Sequence, residues 1–92
     1  MSPDWDDIGY VISSKYRLAA VRRLASSPAT PTRIAEEASL QPAHVSRALR
    51  RLLDRALVAL VGSENQHKNR IYELTEKGAK VWAEIRAADL HT

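Results

Sequence analysis

Val45, Ala48, Leu49, Leu52, Leu53 and Ala56 fall at the i, i+3, i+4, i+7 spacing that draws one apolar stripe along an α-helix. No other feature constrains the chain as strongly. Just before it, Ile34, Ala35 and Ala38 give a shorter helix its own inward face, and only Ser39, Leu40 and Gln41 separate that helix from Pro42. Two helices joined through so tight a turn share one core. At about 100° per residue, Ala43, Arg47, Arg50 and Asp54 then point away from it, with His44, Ser46 and Arg51 on the flanks. One side packs, and the other, rich in arginine, is free to meet a partner.

The chain of 92 residues is expected to make one small domain. A fold of this size buries only about 60–65% of the surface its unfolded chain exposes, which leaves little room for an enclosed active site. Cysteine is absent, so disulfides, thiolate metal sites and cysteine nucleophiles are excluded together. The longest apolar run, residues 56–61, is too short to span a membrane, and the first residues lack the basic start and apolar middle of a secretory signal. A soluble, cytoplasmic chain is the expectation.

The formal charge is +3 and the pI about 9.6, but the distribution matters more than the sum. Asp4, Asp6 and Asp7 cluster near the amino end, whereas Arg47, Arg50, Arg51 and Arg55 face the single acid Asp54 within the long helix. Lys68 and Arg70 extend this local basic patch. A solvated helix face, with Arg51 or Arg55 paired to Asp54 or another surface acid, is the plainer account of the same residues.

Along the chain, residues 5–13 read as a short helix or an irregular lead-in, and 14–26 as a firmer helix carrying Leu18, Val21, Leu24 and Ala25 on one side. Thr30 suits an N-cap with Pro31 at the first helical position, and Gln41-Pro42 repeats the proline device for the long helix. Residues 57–61 and 71–74 are β-prone around a polar stretch, which makes a hairpin. Thr75 caps a closing helix with Val81, Trp82, Ile85 and Ala88 on one side. The predicted order is three helices, a hairpin and a final helix.

This order, with Ser14-Lys15-Tyr16-Arg17, Thr32-Arg33-Ile34-Ala35-Glu36, His44 to Leu52, Ala56-Leu57-Val58 and above all Tyr72-Glu73-Leu74-Thr75-Glu76-Lys77-Gly78, resembles the winged helix-turn-helix proteins. More narrowly, it is similar to the small archaeal transcriptional regulators related to the MarR and ArsR groups. The resemblance covers nearly the whole chain. It implies a mainly α fold with a small β-hairpin (α+β): a three-helix core, a recognition helix over about 42–55, a wing over about 57–74 and a carboxyl-terminal helix over about 75–90, all in one domain. Ser39 stands where the family commonly has the glycine of a left-handed turn, and Gln41 and Ala43 stand where it often has small hydroxyl residues.

The function implied is sequence-specific binding of double-stranded DNA by a nucleoid-associated transcriptional regulator, with the recognition helix in the major groove. Arg47 is the expected base contact, because its planar fork matches the O6 and N7 acceptors of guanine. Gln41 suits an adenine edge and Ala43 a thymine methyl, with His44 and Ser46 as helpers. Arg50 and Arg51 are expected on phosphates, and His67, Lys68 and Arg70 of the wing on the backbone or minor groove. His44, His67 and His91 show no metal-ligand spacing, and no cofactor is expected. Nor does the chain carry a phosphate loop or an activated nucleophile, so it is not read as an enzyme. Spare apolar surface on the first and last helices, at Ile12, Tyr16, Ala19, Val81, Trp82 and Ile85, points to a homodimer. Any small-molecule effector is left open. A winged helix serving as a protein-interaction module, its arginine face meeting an acidic partner, is the alternative.

Overall fold

The computed structural model describes residues 4–62 and 70–88. Its elements run α1 (Trp5–Ile12), α2 (Lys15–Leu24), α3 (Pro31–Ala38), α4 (Pro42–Asp54), β1 (Val58–Val61), β2 (Ile71–Leu74) and α5 (Glu76–Ala87). The lead-in is therefore a full helix. Asp4 caps it by accepting from the Asp7 amide, just as Ser14, Thr30 and Thr75 cap α2, α3 and α5. Proline opens α3 and α4, where its missing N–H leaves nothing unpaired.

Two helix ends use a left-handed residue that is not glycine. Ser39 closes α3 at φ 57° and ψ 44°, in the turn where a left-handed backbone was expected, and its N–H and that of Leu40 take up the last carbonyls of the helix. Ala56 has φ 61° just past α4, which its residue type gave no reason to expect.

The strands pair antiparallel with Val58 opposite Leu74 and Val61 opposite Ile71. Val58 and Tyr72 turn inward to the core. Ala29, in the connection between α2 and α3, adds a single antiparallel bridge to Tyr72, with N–H···O bonds of 3.1 and 2.9 Å. That bridge ties the root of the wing to the helical core.

The core is one cluster to which every element contributes, with Ile8 and Val11 of α1 beside Val21, Ile34, Leu49, Leu52 and Ile85. α4 packs chiefly on α2 and α3, and α1 packs on α2 and α5. Of the residues expected at a dimer surface, Val81 and Ile85 are only 4% and 0% exposed within the single chain, where that side of α5 packs into the core with α1. Trp82 is half-buried against the same core. Ile12 stays exposed on α1, Ala19 lines a groove between α2 and α3, and the Tyr16 ring stacks on His44 of α4. No helix among the described residues is long and apolar enough to cross a membrane.

Candidate nucleic-acid interface

The helix α4 divides as its periodicity demands: Val45, Ala48, Leu49 and Leu52 are buried, while Gln41, Ala43, Ser46, Arg47, Arg50 and Arg51 are exposed. Gln41 precedes the helix without capping it, and its side-chain amide has no partner among the described residues. Its neighbour Pro42 removes one amide from the first turn and leaves Ala43 open to solvent.

The arginines separate into two groups. Arg17 donates to the Tyr10 carbonyl at 2.7 Å and to Ser13 Oγ at 2.8 Å, Arg23 pairs with Glu37 at 2.9 Å, and Arg33 lies 3.7 Å from the same carboxylate. These hold the fold together. Arg47, Arg50 and Arg51 have no hydrogen-bond or ion-pair partner among the described residues, and neither has Asp54. The pairing of Arg51 or Arg55 with Asp54 is thus not found. These three guanidinium groups stand on one exposed arc, where an anion from outside would offset their mutual repulsion.

Arg55 belongs to the first group, through a residue that sequence reasoning had set apart. Its Nη1 donates to Asp7 Oδ1 at 3.0 Å and its guanidinium stacks on the Tyr10 ring, 3.9 Å from the ring centre. Lys77 Nζ lies 3.2 Å from Asp7 Oδ2 as an ion pair without hydrogen-bond alignment, and it donates to the Arg55 carbonyl at 3.0 Å. Burial opposes ionisation of Asp7, but the contacts with Arg55, Asp4 and Lys77 outweigh it and hold the carboxyl below the usual carboxylate range.

The tract from Thr75 to Gly78 completes this joint. Thr75 Oγ donates to the Ala56 carbonyl at 2.6 Å and accepts from the Gly78 amide at 3.0 Å, while the Thr75 amide donates to the Leu57 carbonyl at 3.1 Å. Gly78 passes so close to Leu57 that a Cβ would collide with its carbonyl oxygen. The carbonyls that trail off α4 are thus taken by the first turn of α5, and the cation Lys77 sits at the negative end of the α4 dipole.

His44 is half-buried, its ring stacked on Tyr16 with centroids 4.9 Å apart and planes at 28°. Tyr16 therefore belongs with α4 in this structure. Arg70 is exposed at the foot of β2, whereas His67 and Lys68, like His91, lie outside the described residues. Among the described residues no group of three His, Cys, Asp or Glu is placed to hold a metal ion.

The model of the family described as HVO_A0261 N-terminal domain matches residues 5–90. No curated protein matches the sequence. Among solved structures, the chain is similar to a mutant of Lactococcus lactis ZitR in apo form, with 28% identity and a TM-score of 0.72 over 83% of this chain and 58% of ZitR. It is also similar to NMB1585, a MarR family regulator from Neisseria meningitidis, with 25% identity and a TM-score of 0.74 over 83% of this chain and 54% of that one. Another ZitR mutant, in complex with DNA, matches at 27% identity and a TM-score of 0.68 over 80% of this chain and 51% of that one. The chain thus spans little more than half the length of these proteins. Their shared layout is the α+β winged helix found here, and with all but its ends matched, the chain belongs to the HVO_A0261 N-terminal domain family.

Proposed function

We propose that the chain binds double-stranded DNA in a sequence-specific manner, as a cytoplasmic, nucleoid-associated transcriptional regulator with α4 in the major groove. The observation that carries this reading is the set of three arginines, Arg47, Arg50 and Arg51, that have no partner among the described residues and stand on one exposed arc of a helix whose other side is fixed in the core. The similarity to a ZitR mutant in complex with DNA agrees with it. Arg47, on the outward arc near the first turns, reads a guanine edge, while Gln41 and Ala43 lie at the helix start where base edges are nearest. Arg50 and Arg51 lie farther along the helix and bind phosphates, which position the protein without reading sequence. The wing, with Arg70 at its foot, reaches the backbone or minor groove. No catalytic role is assigned.

A twofold partner joined through α1 fits the same reading, since Trp5 is 63% exposed and Ile12 lies on the same side of that helix. Such a dimer sets two recognition helices about one DNA turn, roughly 34 Å, apart.

The test is fluorescence anisotropy with random and selected duplexes over a salt series. Tight binding that weakens with salt is expected, with Arg47→Ala relaxing sequence preference and Arg50→Ala weakening all sequences alike. Absence of duplex binding at low salt would refute the proposal and favour an acidic protein partner.

A further inference from the structure

The flank of α4 that carries His44 and Arg51 does not face open solvent on both sides. By helical rotation these two residues lie only about 20° apart, with Arg47 next to them toward the outward arc. The start of α2 closes this edge, and Ser14, Tyr16, Arg17, His44, Arg47 and Arg51 line an open depression of about 180 Å³ between the two helices. Nothing acidic lines it.

Its polar groups differ in availability. Ser14 Oγ already accepts from the Arg17 amide, and the Arg17 guanidinium is spent on Tyr10 and Ser13. Arg47 and Arg51 are free, and the Tyr16 hydroxyl has no partner among the described residues. The Tyr16 ring is held by the His44 stack on α4, and Lys15 Nζ stands 5.3 Å from the ring centre. The depression is therefore a preformed concavity with positive charge and, among the described residues, three idle donors and no counter-ion.

An α-helix is about 10–12 Å across with its side chains, and the B-DNA major groove is about 12 Å wide, so a helix seated in it has sugar-phosphate backbone along both flanks. We infer that this depression seats one backbone phosphodiester of duplex DNA, with the Tyr16 hydroxyl and Arg51 donating to its oxygens and Lys15 adding charge at the rim. The start of α2 is then a second contacting element, joined to the recognition helix through the Tyr16–His44 stack. This inference rests on the DNA reading above and adds α2 to it. Because the stack fixes the ring before binding, the hydroxyl gives up little freedom when it donates.

Tyr16→Phe tests the seat most directly, because it keeps the ring and its stack and removes only the hydroxyl. Anisotropy titrations of one selected and one random duplex over a salt series compare the native chain with Tyr16→Phe, Arg51→Gln and, as a control away from α4, Lys80→Gln. Tyr16→Phe is expected to weaken both duplexes about tenfold, the range for a hydrogen bond to a charged acceptor. Arg51→Gln is expected to lower the log–log salt slope by about 1. Lys80→Gln is expected to match the native chain.

Native binding with unchanged affinity in Tyr16→Phe and unchanged slope in Arg51→Gln would overturn the seat and leave the DNA reading standing. A native chain that binds no duplex would overturn both. A parallel NMR titration with inorganic phosphate separates the other source of the same chemistry. Millimolar phosphate that shifts the Tyr16 and His44 ring signals, combined with DNA affinity indifferent to Tyr16→Phe, would overturn the phosphodiester and mark a free-anion site.

Discussion

Replacing Asp7 by Asn removes one charge from the joint that holds the far end of α4, and the magnitude of the loss can be worked from the contacts. The Asp7 side chain is 4% exposed and accepts one hydrogen bond from a guanidinium, a type of bond that contributes about 1.5–3 kcal/mol. Arg55 and Lys77 are nearly half exposed, so they return to water when the carboxylate is lost, and the Lys77 pair itself adds little. The net cost is about 2 kcal/mol, below the range for removing one partner of a fully buried pair. A domain of this length has only about 5–10 kcal/mol in total, so the loss is easily resolved by urea unfolding followed by circular dichroism. The pH dependence identifies the cause. The folded pKa of Asp7 is lowered, so its stabilisation is fully present above the unfolded value of about 3.9 and disappears as pH falls through the folded value. The gap between native chain and Asp7→Asn is expected to stay constant from pH 7 to about pH 5 and to close at lower pH. A gap under about 0.5 kcal/mol at pH 7 would refute the reasoning, since even the weak end of such a hydrogen bond exceeds it. A gap that persists unchanged at acid pH would refute it as well.

Gly78→Ala is expected to destabilise the fold by about 3 kcal/mol or more, because the obstacle is the Leu57 carbonyl, a backbone group already bonded to Thr75, and not a movable side chain; urea unfolding reads the loss. Ser39→Gly and Ala56→Gly each relieve a left-handed residue and are expected to stabilise by about 0.5–1 kcal/mol after the added chain entropy of glycine is deducted. Thermal melts are expected to rise by a few degrees for each, and an unchanged melt would show that the left-handed geometry carries no strain. Thr75→Val keeps the shape and removes both hydroxyl bonds, for an expected loss of about 1–2 kcal/mol, whereas Thr75→Ser keeps them and is expected to lie close to the native chain in the same denaturation. Trp5→Glu is expected to convert a dimer to monomers in light scattering while leaving the helical spectrum intact, and a mass unchanged from the native dimer would remove α1 from the interface.

The helices and hairpin were legible because their signals are local. The stripe from Val45 to Leu52, the Thr30-Pro31 and Thr75 caps and the β-prone runs each act within a few residues, and each element appears close to its expected bounds. What was hidden depends on pairs far apart in sequence. Residues 5–13 carry Gly9 and two acids and read weakly as a helix; their stability comes from the Asp4 cap and from Asp7 meeting Arg55, 48 positions away. The same distance in sequence hides the packing of α5, since Ile8 and Val11 join Val81 and Ile85 in one core. The Tyr16 contact is hidden for a similar reason, since nothing in its own helix reveals that a histidine 28 positions later stacks on it. Ala29 could not be read as a strand residue, because its bridge to Tyr72 is one residue long and follows a proline.

The tract Leu74-Thr75-Glu76-Lys77-Gly78 was the most diagnostic part of the sequence, and the structure gives it a physical meaning. A recognition helix can discriminate base edges only if its axis is fixed to a fraction of an ångström, yet its far end is where an α-helix is weakest, with carbonyls unpaired and a turn to follow. Here the carbonyls of Leu52 and Leu53 accept from the amides of Arg55, Ala56 and Leu57, and the turn that supplies those amides is itself held from outside: Lys77 holds the carbonyl of Arg55 while Thr75 holds those of Ala56 and Leu57. Gly78 is the residue type that lets the backbones come close enough for all of this to happen. Asp7 then connects the same joint to α1. The partners of these residues lie in α1 and in the turn after α4, so the tract that best marks the fold fixes the far end of α4 and not its exposed arc. Arg47, Gln41 and Ala43, which read sequence in the function proposed here, make no comparable contribution to the joint and are free to vary with the site to be read.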